Sequence, residues 1–308
     1  MRPILITGAT GFVGSYLTNY FAEKGYPVVA MCRQLHKARK KFSRKVASER
    51  WDGESGRFLQ PLFEPQMVII HLSGENIAGG LWTAARKRAI LESRVKSSRA
   101  ILSALQERAE PGMMLFQASA VGYYGPDASE GVSESAPAGS GFLAEVCRAW
   151  EDATAEVSEM GIPRCVFRLG LVLGPGGGFL KRLEKLFRWY LGGHPGSGGQ
   201  WVSYIHLADV AGALEHLMNQ PELPPLANLV TPHPLPAAEF YRELGNYWGR
   251  PSWLHAPEGI LKLVGGEMAR ELLLGSQKAL PDVLQKSGYR FRYPDLQSAL
   301  PACSGKAP

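Results

Sequence analysis

Through the first 220 residues, short runs of Val, Ile and Leu alternate with stretches in which apolar residues recur every three or four positions. The runs read as strands buried on both faces and the stretches as helices that cover them, which together make a parallel sheet clothed on both sides. The pattern predicts strands at 3–7, 27–32, 46–50, 67–72, 113–118 and 163–169, and helices at 12–24, 34–44, 83–108, 142–160 and 207–219. Loops rich in Gly and Pro interrupt this order at 125–141, 174–178 and 192–200. In open α/β sheets the loops at the strands' carboxyl ends build the ligand crevice. From about residue 221 the pattern changes: six prolines crowd together between Pro221 and Pro236, followed by helical segments and a last strand predicted at Tyr289–Tyr293. The expected fold is α/β, a Rossmann-type doubly wound parallel sheet over 1–220 with a smaller, mainly helical C-terminal lobe over 221–308.

The turn after the first strand carries Gly8-Ala9-Thr10-Gly11-Phe12-Val13-Gly14 and opens a helix whose apolar positions recur at helical spacing. A GxxGxxG string alone is a weak signal, but between a strand and a helix it predicts a dinucleotide site. Gly8 permits the sharp turn, Gly11 lets the backbone approach a pyrophosphate, and Gly14 lets the helix pack close to the strand. The pyrophosphate would then meet the positive helix end and its free N–H groups, with Thr10, Phe12 and Val13 alongside. An NAD enzyme places an acid at the end of the second strand to bond the ribose 2′-hydroxyl. This chain has Met31-Cys32-Arg33 and no acid between Glu23 and Glu49. Arg33 offers a planar fork to a 2′-phosphate, with Lys37 or Arg39 as helpers, so the expected cofactor is NADP(H). Asp52, after the third strand, can accept from the adenine amino group, or it can stabilise its own turn.

Composition narrows the partners. The chain has 308 residues, 45% hydrophobic, and a formal charge of +6. Much of the charge is local, in a run from Arg33 to Lys45 and a second cluster from Arg86 to Arg99. Both read as solvated helix faces apart from Arg33, and no recognition motif accompanies them, so no nucleic acid is expected. The longest apolar stretches, such as Met67–Leu72, fall far short of a membrane span, and no signal-type segment precedes the first strand. The four cysteines are scattered without a CxxC pair, and no His cluster has metal spacing. They read as reduced thiols in a cytoplasmic protein, with no metal expected.

Three further strings follow predicted strands: His71-Leu72-Ser73-Gly74, Ala118-Ser119-Ala120-Val121-Gly122-Tyr123-Tyr124-Gly125 and Arg168-Leu169-Gly170-Leu171. With the glycine turn, the chain resembles the extended short-chain dehydrogenase/reductases. More narrowly it resembles the sugar-nucleotide-epimerase-like (YfcH/SulA-like) family, through Gly74–Thr83, Phe142–Glu151 and Ser197–His206. The resemblance extends to the C-terminal lobe, through Gly266-Glu267-Met268 and Phe291–Leu296, which is similar to that family's C-terminal domain of unassigned role. It implies a cofactor site completed by Leu72, Ser73, Gly74 and Glu75. Helices 83–108 and 142–160 pair subunits in many relatives, which leaves a homodimer open.

In the wider superfamily a Ser or Thr orients the substrate, and a Tyr, helped by a Lys four residues later, passes a proton. Ser119 matches the first role. At the head of the helix where Tyr-x-x-x-Lys belongs, this chain has Phe142 and Val146, which move no proton and carry no charge. Tyr123 or Tyr124 could replace the phenol, although a buried aromatic is the ordinary fate of such a residue. Glu145 and Cys147 are weaker candidates, more ordinarily a surface residue and a core residue. Glu75 and Asn76 suit cofactor or substrate contacts. Arg168 and His206 fall where substrate is received, although His206 equally suits a structural role.

Two functions are consistent with this reading. One is an NADP(H)-dependent oxidoreductase or nucleotide-sugar epimerase-like enzyme acting on an unidentified small molecule, with Ser119 and Tyr123 or Tyr124 near the chemistry. The alternative is a non-catalytic NADP(H)-sensing or scaffold protein, in line with the link of some relatives to cell division.

Overall fold

A computed structural model describes residues 1–304. Its elements begin with β1 (Ile4–Thr7), α1 (Phe12–Glu23), β2 (Val28–Cys32), α2 (Leu35–Lys41), β3 (Val46–Arg50), β4 (Val68–His71), α3 (Ala84–Glu107) and β5 (Met114–Ala120). There follow β6 (Asp127–Val132), α4 (Phe142–Asp152), α5 (Glu156–Glu159), β7 (Arg164–Leu169), β8 (Leu171–Leu173), α6 (Gly178–Arg188), β9 (Trp201–Val202), β10 (Tyr204–His206) and α7 (Leu207–Met218). The rest are β11 (Leu226–Leu229), β12 (Leu235–Pro236), α8 (Ala237–Trp248), α9 (Glu258–Leu272), β13 (Ser276–Ala279), α10 (Asp282–Lys286) and α11 (Leu296–Cys303).

Seven strands form one sheet in the order β11-β7-β5-β4-β1-β2-β3. β1 runs parallel to both β2 and β4, and successive strands move outward in opposite directions from that pair. This is the doubly wound order, and it puts the topological switch between the carboxyl ends of β1 and β4. β1 and β4 are buried along their whole length, as expected of central strands. On one face Leu5, Ile69 and Leu115 pack with Ile101 and Leu105 of α3.

The chain divides into two compact units that are not consecutive halves. The first comprises Met1–Ser119, Arg148–Phe167 and Leu214–Leu226; the second comprises Ala120–Cys147, Arg168–Ala213 and Ala227–Pro308. The lobe expected from residue 221 is thus joined by two earlier segments, because the loops beyond β5 and β7 build small sheets of their own. β6 pairs with β13, and β8 with β10.

Two expected elements change, and a helix that the pattern did not predict appears. The helix predicted at 142–160 breaks into α4 and α5 around Thr154, a fully buried residue that takes a bond from Arg164 Nε at 2.9 Å. The stretch from 178 to 188 is a helix, α6, with Leu180, Leu183 and Phe187 as its buried stripe. The last strand predicted, Tyr289–Tyr293, does not form. Its alternation suits a strand, but Arg292 and Tyr293 give their N–H groups to the Asp209 carboxylate, at 2.6 and 2.9 Å, rather than to a neighbouring strand.

Candidate functional site

The glycine turn is built by close approach. Gly8 holds a positive φ of +66°, and a Cβ on Gly14 would lie 2.3 Å from the Gly8 carbonyl oxygen, so α1 starts against the end of β1 only because both positions lack side chains. The head of α1 has no capping side chain and no acid in its first turn. Its first N–H groups are therefore available to an anion.

The turn opens into a cleft of about 350 Å³ in the first unit. Of the predicted cofactor residues, Gly8, Thr10, Gly11, Arg33, Asp52, Leu72, Ser73, Gly74 and Glu75 line it together. Phe12, Val13 and Gly14 start α1 behind the turn. Residues that sequence reasoning missed complete the wall, among them Trp51 and, from α3, Ser93, Lys96 and Ser97. The signal for the last group was present in Ser93, Ser97 and Ser98, small polar residues on a helix stripe where apolar ones would be expected. Lys41 was also missed. Its Nζ donates to the Thr10 carbonyl at 2.9 Å, so Lys41 reaches the turn, and burial lowers its pKa. Asp52 lines the cleft and also accepts from Glu54 and Ser55 N–H groups at 2.9 and 3.0 Å, which hold its carboxyl below the usual range.

Beneath the cleft, at the switch point, His71 is fully buried. Its Nδ1 lies 2.6 Å from Thr7 Oγ1, and its Nε2 lies 3.2 Å from Ser98 Oγ and 3.3 Å from Ser97 Oγ. The Ser97 hydroxyl also donates to the Ser93 carbonyl at 2.8 Å, and Ser98 and Thr7 give each ring nitrogen a hydroxyl that can donate or accept, whichever tautomer the ring adopts. Burial, with the nearby Arg94 charge, pushes the His71 pKa down to about 3, so the ring is neutral. The loop after β4 is tied to α3: Arg86 meets the Glu75 carboxylate at 3.1 Å and donates to the Asn76 carbonyl. Asn76 itself is exposed, with Oδ1 bonded to Ala78 N–H at 3.0 Å.

Ser119 is 2% exposed, and its hydroxyl donates to Glu151 Oε1 at 2.5 Å. That bond holds it to α4 as a packing residue and leaves no free hydroxyl for a substrate.

The second unit holds Tyr123, Tyr124 and Arg168 in one cluster. Arg168, 3% exposed, stacks 3.3 Å from the Tyr123 ring centre and donates to Tyr124 Oη at 3.0 Å. Tyr124 Oη donates in turn to Asn228 Oδ1 at 2.8 Å, and burial pushes its pKa up. Tyr124 is thus a core residue, whereas Tyr123 is half-buried over a cation. Phe142 and Val146 are buried, Cys147 is buried with Sγ 3.6 Å from the Ala120 carbonyl, and Glu145 is exposed. The head of α4 is closed by Glu271, whose carboxylate accepts the Phe142 and Leu143 N–H groups at 2.8 and 2.7 Å. His206 is buried, takes the Ala208 N–H on Nδ1 at 3.1 Å and packs edge-on against Tyr293; burial lowers its pKa to about 4. It serves the fold.

Among the described residues no group of three or more His, Cys, Asp or Glu could hold a metal ion, and no helix is long and apolar enough to cross a membrane.

Residues 4–228 match the model of the NAD dependent epimerase/dehydratase family, and residues 256–303 match a domain of unknown function, DUF1731. The chain is 34% identical over 298 residues to the epimerase family protein Mb2239 of Mycobacterium bovis and 33% over 299 residues to YfhF of Bacillus subtilis, covering 96% of each chain in both pairs. Human epimerase family protein SDR39U1 (isoform 2), crystallised with NADPH, superposes with a TM-score of 0.85 at 27% identity, with both chains covered in full. A UDP-glucose 4-epimerase of Thermotoga maritima superposes at 0.79 with 17% identity, covering 98% of this chain and 97% of that one, which shows a shared fold.

Proposed function

Because the chain belongs to the NAD dependent epimerase/dehydratase family, we propose that it binds NADP(H) in the Gly8–Glu75 cleft and reduces a small polar carbonyl substrate, with Tyr123 as proton donor. The observation that carries this reading is the uncapped head of α1 opening into the same cleft as Arg33. Free N–H groups at a helix start suit a pyrophosphate, and an exposed guanidinium at the end of β2 suits a 2′-phosphate, so the residues fit the dinucleotide. The human relative crystallised with NADPH supports the choice of cofactor. When bound, the cofactor supplies the reducing equivalent; the chain must supply the proton. Tyr123 is the candidate because Tyr124 and Ser119 are committed to Asn228 and Glu151, whereas Tyr123 is half-buried and held by Arg168 through its ring alone.

The test is a single-turnover assay in which the absorbance of bound NADPH is followed against a panel of carbonyl compounds and sugar nucleotides. Tyr123→Phe should slow the reaction about 100-fold, the lower end of what a positioned acid contributes, with NADPH affinity unchanged. An unaltered rate in that variant would remove Tyr123 from the chemistry.

A second reading, cofactor binding without turnover, is favoured by the burial of Phe142 and Val146 and by the Ser119–Glu151 bond. It requires a protein partner whose capture depends on NADP+ or NADPH, together with no turnover across the panel.

A further inference from the structure

α6, in the second unit, ends in a turn that ordinarily takes glycine. The Tyr190 N–H bonds to the Phe187 carbonyl and the Leu191 N–H to the Leu186 carbonyl, both at 2.9 Å, the pair of bonds that closes a helix with a left-handed residue just past its end. That residue is Tyr190, at φ +60°, where glycine would be the unstrained choice. The turn carries three large side chains into solvent: Trp189 is 78% exposed, Tyr190 53% and Leu191 52%. A second loop of the same unit joins them. Trp253 donates through Nε1 to the Tyr190 carbonyl at 3.0 Å, and the Trp253 and Leu254 N–H groups both go to the Gly192 carbonyl, at 3.1 and 3.0 Å. Both of these side chains are exposed as well, Trp253 by 65%. One apolar platform results, and soluble proteins rarely leave such a surface open unless something covers it.

We propose that this platform rests on the surface of a membrane rich in anionic phospholipid, without crossing it. The charge around it favours that occupant. Residues 178–193 hold four basic residues against one acid, Glu184, and residues 247–257 hold Arg250 and no acid. Lys185 and Arg188 are exposed in the last turn of α6, and Arg250 lies 5.0 Å from the ring centre of Tyr190. Tryptophan, tyrosine and leucine flanked by cations suit an interface that is apolar within and negatively charged at its face. A two-fold contact with a second copy would instead bring the same cations opposite one another.

Hydrogen bonding points the same way. The N–H groups of Tyr190, Leu191, Trp253 and Leu254 and the Trp253 indole are all bonded within the protein. The platform can therefore enter a lipid interface without stranding these donors, as an apolar phase requires. A surface built to dock a protein ordinarily keeps donors for bonds across the interface.

The experiment sediments the full chain with vesicles of phosphatidylcholine alone and with vesicles in which one lipid in three is phosphatidylglycerol, while tryptophan emission is followed in parallel. The natural chain should bind the anionic vesicles with a blue shift, leave the neutral ones in place, and be released as salt is raised. Trp189→Ser should weaken binding about tenfold, the scale of one buried aromatic side chain. Lys185→Gln combined with Arg188→Gln should weaken it by about tenfold or more. These side chains are exposed, so thermal unfolding of the variants should match that of the natural chain. A natural chain that does not bind the anionic vesicles overturns the inference, as does binding that neither variant weakens. Self-association abolished by Trp189→Ser, in place of vesicle binding, overturns it in favour of a second copy, and capture by polyglutamate in place of vesicles overturns it in favour of an acidic protein.

Discussion

Thr7 Oγ1 and His71 Nδ1 stand 2.6 Å apart at the ends of β1 and β4, joined across the switch point where the two halves of the sheet part. Thr7 also accepts the Leu72 N–H at 3.2 Å, so a threonine and a neutral imidazole fix the start of the loop that lines the cleft. Because burial holds the folded pKa of His71 near 3, below its ordinary 6.5, the unfolded chain takes up a proton that the native chain refuses. Stability is then complete above about pH 6.5 and declines as the pH falls toward 3. Between pH 6.5 and 5 the loss from His71 alone should be about 2 kcal/mol. His206, lowered to about 4, acts in the same direction. Urea unfolding of the natural protein and of His71→Asn from pH 7 to 5 checks this. The variant should be less stable at pH 7 but lose less on acidification, and an unchanged pH slope would refute the assignment.

Arg33 should decide between the phosphorylated and plain dinucleotides. It is exposed at the rim of the cleft, where a forked donor can take a 2′-phosphate. Arg33→Ala should weaken NADPH by about tenfold or more, the scale of a lost charge-assisted pair, and leave NADH within twofold. Parallel titrations at moderate salt measure both, and an equal loss for the two cofactors would place Arg33 outside the phosphate site.

Glu271 closes the head of α4 from 129 residues away in the chain. Its removal strands two N–H groups in a buried first turn, so Glu271→Ala should destabilise the protein by about 2–3 kcal/mol. Glu271→Gln keeps one accepting oxygen and should lose less. Chemical denaturation of both variants ranks them, and an Ala variant as stable as the Gln variant would show that the cap contributes nothing.

These contacts mark what was legible in the sequence. The six main strands, the glycine turn and most of the cleft came from short-range signals: apolar runs, a strand followed by Gly8–Gly14, and Arg33 at the end of β2. What was hidden is long-range. Nothing local shows that Lys41 reaches back to Thr10 or that Glu271 caps α4. Tyr289–Tyr293 alternates like a strand, yet its N–H groups go to Asp209, a partner 83 residues earlier than Arg292. Ser119 stands in the family's serine string, but strand alternation turned its hydroxyl onto Glu151, and only side-chain geometry shows which way a strand-end residue faces.

Ser119 also gives the sharpest separation of support from catalysis. Its hydroxyl lies 2.5 Å from Glu151, whose own backbone carbonyl takes a bond from Arg164, so the pair fastens the end of β5 to α4. A hydroxyl whose only proton goes to Glu151 has no donor left for the oxygen of a carbonyl substrate. Ser119→Ala should therefore lower stability by about 1–2 kcal/mol, the range for a hydrogen bond to a charged group whose partner can be partly resolvated. NADPH affinity should stay within twofold, and so should any turnover found in the carbonyl panel, in contrast to the loss expected for Tyr123→Phe. Thermal unfolding together with the single-turnover assay decides the matter. A rate drop of 100-fold or more in Ser119→Ala, with stability intact, would return this serine to the reaction and displace Tyr123 as the sole proton-handling group.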